Sequence, residues 1–375
     1  MQNLIINRSN GNILKALDGQ DHISGLLFLV PVKDDIPTAF ADESYKACSS
    51  LTTAESLGLS SSSTGYAWIA YYHIKEALRV NPGMTLYVGF AVRETTFAAI
   101  SALQQYADGN IRQMGVWDGD NAISATTVTA MQAQATALDA VGQPLSLVVT
   151  PKVASLTALP KDLAASAPNV SVMIGQDGEL EDNDLTVGGL GVVIGLISKA
   201  AVNESIAWVQ NSATGIGSAA FADGTLYRNV DKAVIESLDN ARYLFFKTYA
   251  GLAGIYMNDS HNMDKATSDY CSIELERTMD KAVRGIRTYL LPELGRPIHF
   301  NTDGTLRADT LKHLKTVAGK AIEEMEAADE IDGYEVDIDE TQDVQSTSKV
   351  EFVIKNIPVG VMRKAVVEIG FTSSI

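Results

Sequence analysis

The chain has 375 residues and a formal net charge of −17, with 46% hydrophobic and 20% charged residues. This length exceeds what one hydrophobic core usually supports, so we expect two or more domains. The acidity argues against nucleic acid as a direct partner, because phosphate-binding surfaces need clustered basic residues.

The sequence lacks the features of a membrane or secreted protein. Its longest apolar run, residues 187–202, is interrupted by four glycines and is too short to span a bilayer. The start has no basic segment followed by an apolar stretch, which predicts cytoplasmic assembly without direct membrane insertion. Cys48 and Cys271 lie far apart without CxxC spacing, which is typical of reduced, buried thiols.

Residues 1–22 are predicted to form an N-terminal arm and linker. Leu4, Ile5 and Ile6 make a short strand-like run, and a polar segment, residues 7–12, follows it. A short strand on a flexible linker can pair with the sheet edge of another chain.

Residues 23–203 alternate between strand-like and helix-like segments. The predicted strands are 26–30, 86–91, 114–117, 145–150 and 172–175, and the predicted helices are 66–80, 95–107 and 126–140. The strands are short and apolar throughout, which is typical of strands covered on both faces. The alternation predicts an α/β domain with a mostly parallel sheet.

Residues 204–345 follow a different pattern and are predicted to form an α+β domain. The predicted elements are a strand at 244–246, helices at 267–291 and 308–328, and a strand at 334–338. Apolar residues recur at helical spacing in both helices.

Residues 346–375 are predicted to form a β-hairpin and a C-terminal arm. In the first strand Val350, Phe352 and Ile354 alternate with other residues, and a turn is predicted at 357–360. The second strand carries Val366, Val367 and Ile369. A strand at the end of a chain has an edge that its own chain does not pair, and such edges accept other chains.

No motif in the sequence predicts catalysis, a cofactor or a metal site. The run 189–195 has GxGxxxG spacing rather than GxGxxG, and no strand directly precedes it. It is better interpreted as a glycine-rich surface for close helix packing. The five histidines form no HxH or HExxH pair, and no GxSxG motif is present. The sequence therefore does not predict an enzyme.

The predicted helix at 267–291 carries a pattern of basic residues. Arg277, Lys281, Arg284 and Arg287 share one stripe of the predicted helix at 267–291. A basic stripe on an acidic protein can dock an acidic surface of a partner. The alternative is a solvated outer face.

Taken together, these segments resemble a contractile tail sheath protein, of the small type found in phages, phage-like bacteriocins and related injection machines. The resemblance is carried by Gly254–Ile–Tyr–Met–Asn258, by the Asn–Thr–Asp–Gly–Thr–Leu turn at 301–306, and by the closing strands after Asp337. Many sheaths carry a WGxRT-like motif after the Gly-Ile segment, where this chain has Tyr256, Met257 and Asn258. That difference puts in doubt any contact made by the missing arginine.

The resemblance implies a mechanical function without catalytic residues. Sheath subunits form stacked hexameric rings around an inner tube protein and exchange their terminal strands with neighbours. The implied partners are further copies of the chain, the tube, and baseplate and tail terminator proteins. The α/β domain would be inserted in the inner α+β domain and would lie on the outside. Either the basic stripe or the acidic residues 323–343 would face the tube or an adjacent subunit. The sheath would contract from a metastable extended state.

Two other interpretations stay open at this stage. An α/β enzyme with a Rossmann-like domain would need a phosphate loop or a catalytic set of residues. Another tail or surface-array protein could also polymerise by strand exchange.

Overall fold

The computed structural model describes residues 20–42, 44–180, 186–367 and 369–371. The arm strand predicted for Leu4, Ile5 and Ile6 lies outside the described residues.

A six-stranded sheet forms the centre of the larger part of the fold. Its strands are β1 (Ser24–Val30), β2 (Tyr45–Ala47), β3 (Leu86–Val92), β4 (Gln113–Ala122), β5 (Ser146–Lys152) and β6 (Val170–Val172). Their order is β2-β3-β1-β4-β5-β6, with β2 antiparallel at one edge and the other neighbours parallel. The predicted mostly parallel sheet is confirmed.

Helices cover both faces of this sheet. They are α1 (Leu51–Ser56), α2 (Gly65–Val80), α3 (Ala98–Tyr106), α4 (Ala125–Ala140) and α5 (Leu190–Lys199). Leu26 and Phe28 of β1 belong to the core under α2 and α5. Leu27 and Leu29 belong to the core under α3 and α4. Because successive side chains of a strand point to opposite faces, a strand buried on both sides needs a continuous apolar run.

The glycine-rich run serves close helix packing, as the sequence predicted. A Cβ atom at Gly191 would lie 2.2 Å from the backbone oxygen of His73, and one at Gly195 would lie 2.9 Å from the backbone oxygen of Ala77. Helix α5 therefore crosses α2 with the two backbones nearly in contact.

The remaining elements follow β6 in the chain. They are β7 (Gly175–Asp177), β8 (Ala219–Phe221), α6 (Lys232–Asn240), β9 (Phe246–Lys247), β10 (Tyr256–Met257), α7 (Ile273–Leu290), α8 (Ala308–Ala327), β11 (Ile331–Asp337), α9 (Val344–Thr347) and β12 (Val353–Pro358). Helices α7 and α8 pack closely, since a Cβ atom at Gly285 would lie 2.6 Å from the Cβ of Ala321.

The expected boundary at 203/204 does not coincide with a change in packing. Tyr243 and Phe245 lie in the core under α3 and α4, whereas Leu244 and Phe246 lie in the core under α2 and α5. Extended backbone thus continues both cores of the sheet beyond residue 204. The strand expected at 244–246 is assigned only at Phe246–Lys247. Helix α7 begins at Ile273 rather than at the expected residue 267. Ile273 still belongs to the core under α2 and α5, whereas Ala282, further along α7, belongs to a separate core with residues of α8.

Candidate assembly surface

The C-terminal strand pairs with the strand that precedes it. Strand β12 runs antiparallel to β11, with Ile331 opposite Pro358 and Asp337 opposite Val353. The hairpin predicted within 346–375 is therefore wrong in its pairing, and β12 continues through the expected turn to Pro358. The described residues after 358 form neither helix nor strand. The pairing of β12 with β11 has a reason in packing, because Ile354 of β12 packs against the small core between α7 and α8.

Two other predicted arm residues also contact their own subunit. Val350 and Phe352 precede β12 and pack against a separate cluster that includes Leu306, Leu314 and Ile338. They anchor the chain beside α8 before the strand begins. The predicted arm residues Val366, Val367 and Ile369, in contrast, are exposed in the described structure.

We call residues 359–371 the C-terminal segment. Val359 and Val361 at its start are half-buried. The apolar side chains further along are strongly exposed, with Val366 at 85%, Val367 at 80% and Ile369 at 93% of full accessibility, and Met362 and Phe371 also exposed. Within the described residues, β11 and β12 form a two-stranded sheet. Exposed apolar side chains close together in the chain and an unpaired sheet edge are both typical of interaction surfaces.

One residue of the C-terminal segment is anchored. The guanidinium of Arg363 donates from Nε to Oδ1 of Asp259 at 3.0 Å and from Nη2 to the hydroxyl of Ser260 at 3.1 Å. It also pairs with the carboxylate of Glu274. We call Asp259, Ser260 and Glu274 the arginine socket. Sequence reasoning missed Arg363, whose one signal was a basic residue within an apolar run.

The fold brings the members of the arginine socket together at the start of α7. The N–H of Ile273 donates to the carbonyl of Ser260 at 2.9 Å, which fixes the loop after β10 against the helix. Glu274 lies in the first turn of α7, where the helix dipole favours a negative charge. Burial raises the pKa of Asp259, but His261 and Arg363 outweigh it, so the pKa lies below the ordinary value.

The basic stripe of α7 is not a solvated outer face. Arg277 is 3% exposed and donates to the carbonyls of Ala200 and Ala201, at the end of α5. Arg287 lies against Gly142, just past the end of α4. Cations at helix C-termini are stabilised by the carbonyls there and by the helix dipole.

The middle of the stripe is paired within the chain. Asp21, just before β1, lies 2.9 Å from Lys281 Nζ and 3.2 Å from Arg284 Nη2. Lys281 also pairs with Glu330, just before β11. These three elements are therefore tied together by charge. Docking of the stripe to a tube or neighbour stays a prediction, and Arg287 is its most exposed member.

Two buried carboxyl groups of α7 face the amino edge of the sheet. Glu276 accepts from the side-chain amide of Asn169, which directly precedes β6, at 2.7 Å. Burial, with Asp280 and other carboxylates nearby, raises the pKa of Glu276 to about 8. Burial also raises the pKa of Asp280, although Arg284 and Arg277 oppose it. Glu276 and Asp280 therefore hold protons at neutral pH more strongly than ordinary carboxyl groups.

The described residues contain no group of three or more His, Cys, Asp or Glu side chains placed to hold a metal ion. No helix in this part of the chain is long and apolar enough to cross a membrane. Cys48 is buried and Cys271 is half-buried, and both are free thiols.

The fold is that of sheath chains of contractile injection systems. The contracted helical sheath of the anti-feeding prophage, solved by cryo-EM, matches with a TM-score of 0.67 at 15% identity over 99% of each chain. The contracted PVC sheath complex of an extracellular contractile injection system matches with a TM-score of 0.64 at 11% identity, over 100% of this chain and 98% of that chain. A chain of the six-fold symmetrised anti-feeding prophage baseplate matches with a TM-score of 0.67 at 15% identity, over 100% and 99%.

The family is identified from the sequence. The model described as DUF2586, N-terminal domain matches residues 45–261, and the model described as DUF2586, C-terminal domain matches residues 269–375. The chain therefore belongs to the DUF2586 family. The gap between the two models falls in the loop before α7. No curated protein matches the sequence.

Proposed function

We propose that the protein is a structural subunit of a contractile sheath. The observation that carries the proposal is the end-to-end match of its fold to sheath chains. The exposed C-terminal segment that follows β12 supports it, because a polymer subunit needs a segment that can attach to a neighbour. On this proposal the chain has a mechanical rather than an enzymatic role.

The subunits would assemble into stacked hexameric rings by exchanging terminal strands. Each backbone hydrogen bond added at a sheet edge contributes only ~1 kcal/mol net. A single arm would therefore attach weakly, and many arms across a helical lattice would make the polymer durable. The N-terminal residues 1–22 and the C-terminal segment would supply the two arms, because β12 is already paired with β11 of its own subunit.

Contraction would need no bound nucleotide. The extended sheath would be a kinetically trapped state, and new contacts between subunits in the contracted lattice would lower its free energy. The partners would be further copies of the chain, an inner tube protein, a baseplate and a tail terminator. The sheet domain would lie on the outside, and α7, α8, β11 and β12 would form the part nearer the tube. Assembly would take place in the cytoplasm.

Electron microscopy tests this proposal. Negative-stain images of the purified protein, with and without a candidate tube protein, should show hollow, cross-striated cylinders. Monodisperse particles at high concentration, even with the tube present, would overturn the sheath assignment and favour a ligand screen for an enzyme.

Truncation tests the arms. Deleting residues 366–375 or residues 2–6 should abolish polymers and leave a folded monomer, as judged by circular dichroism and size-exclusion chromatography. Val366→Asp combined with Val367→Asp should act like the C-terminal deletion. Leu294→Asp is the matched control, because Leu294 is 73% exposed but lies outside the arms. Normal assembly of both deletions would contradict arm exchange.

A further inference from the structure

The arginine socket has an unusual electrostatic requirement. The side chain of Glu274 is 2% exposed, and Arg363 is its ion-pair partner. The second carboxylate oxygen of Glu274 has no hydrogen-bond partner within the described residues. A buried carboxylate that loses its cation pays a large desolvation penalty, so Glu274 strongly favours a cation in the socket.

The geometry of the socket suits a guanidinium. Asp259 and Ser260 accept hydrogen bonds from different nitrogen atoms of Arg363, and Glu274 accepts a third. The fork of donors on arginine can reach three acceptors at once, whereas a lysine ammonium is a compact point charge. Burial lowers the pKa of Arg363, but Glu274 and Asp259 outweigh that effect and raise it.

The rest of the C-terminal segment is not comparably held. Met362, Lys364 and Val366 are exposed, and the described residues after 358 form no helix or strand. A Cβ atom at Gly360 would meet nothing within 4 Å. Val359 and Val361 are half-buried. Among the described residues of the segment, the side-chain hydrogen bonds and ion pairs to the subunit are made by Arg363, five residues beyond the end of β12.

We propose that the arginine socket binds Arg363 of its own chain and holds the C-terminal segment on the subunit until a neighbouring subunit captures it. The second half of this statement rests on the proposed sheath function. Release requires breaking the contacts of Arg363 and leaves Glu274 buried without its cation. The socket therefore raises the protein concentration needed for polymerisation and keeps single subunits from assembling prematurely.

The first test uses the monomer and does not depend on any polymer. A spin label is placed at residue 366 by Val366→Cys in a Cys271→Ser background, since Cys48 is buried. The spectrum of the otherwise unchanged chain should be dominated by a slow-motion component. Arg363→Gln should convert it to a fast-motion component, and Lys364→Gln, the matched control, should leave it unchanged. Equal mobility with and without Arg363 would overturn the proposal.

A second variant separates release of the segment from damage to the fold. Arg363→Gln alone should lower the urea midpoint of unfolding, because Glu274 then lacks its cation. Adding Glu274→Gln should restore the midpoint while the label stays mobile. A double variant whose label is immobile again would show that another contact holds the segment, and the proposal would fail.

The last test measures assembly of the unlabelled chain. The Arg363→Gln, Glu274→Gln double variant should polymerise at a critical concentration about 10-fold lower, which corresponds to ~1.4 kcal/mol. An unchanged or higher critical concentration would refute a restraining role of the socket. If the original chain forms no polymer at all, the sheath function fails, and the mobility result still decides whether the socket holds the segment.

Discussion

The buried carboxyl groups of α7 predict an unusual dependence of stability on pH. In the folded state the pKa of Glu276 is raised from its ordinary 4.5 to about 8. Between these values the folded protein retains a proton that the unfolded chain has released. Stability from this group is therefore fully present below about pH 4.5, and it is lost as the pH rises through 8.

Replacing Glu276 by glutamine should remove this loss of stability at high pH. The amide cannot ionise, and its oxygen can still accept from Asn169. A tenfold change in proton affinity corresponds to about 1.4 kcal/mol. The raised pKa therefore sets an upper limit of about 5 kcal/mol on the free energy of unfolding that is lost when Glu276 ionises. Relaxation and water entry reduce such penalties, and we expect Glu276→Gln to stabilise the protein by about 2 kcal/mol at pH 9. The pKa of Asp280 should also fall, because a neighbouring negative charge is removed.

Urea unfolding at pH 5 to 9, followed by circular dichroism on monomeric protein, measures this difference. The two proteins should have similar free energies of unfolding at pH 5 and diverge as the pH rises. Glu55→Gln makes the same chemical change on an exposed position of α1 and should give a curve parallel to that of the original protein. Parallel curves for Glu276→Gln, or a variant less stable at pH 9, would refute the reasoning.

Two further predictions concern packing and hydrogen bonding. Gly191→Ala should lower the free energy of unfolding by about 2 to 3 kcal/mol, because the new Cβ would lie 2.2 Å from the backbone oxygen of His73. Gly83→Ala, whose Cβ would meet its nearest neighbour at 3.7 Å, is the control, and equal effects would contradict the close crossing of α2 and α5. Asn258→Ala should cost about 3 kcal/mol, because the buried amide accepts from a backbone N–H and donates to a carbonyl and a carboxylate. The exposed Asn211→Ala should cost little, and a neutral Asn258→Ala would show that these bonds do not stabilise the fold.

Local sequence determined the elements of the sheet domain. The apolar run of β1 needs two covered faces whatever the surroundings, because its side chains alternate. The glycines at 191 and 195 likewise predicted a close helix contact, since a missing Cβ is what such a contact requires. The sequence also indicated that Val366, Val367 and Ile369 would belong to an attachment segment, and their exposure is compatible with that prediction.

Only the tertiary structure determined which strands pair and which charged side chains contact each other. The pairing of β12 with β11 depends on the core between α7 and α8, against which Ile354 packs. The basic residues of the stripe contact the ends of α4 and α5 and Asp21. These partners are too far away in the sequence for a local pattern to predict them. Arg363 reaches Asp259 across 104 residues of chain. Propensity and periodicity describe neighbours in sequence, whereas charges and sheet edges are satisfied by whatever the folded chain brings within reach.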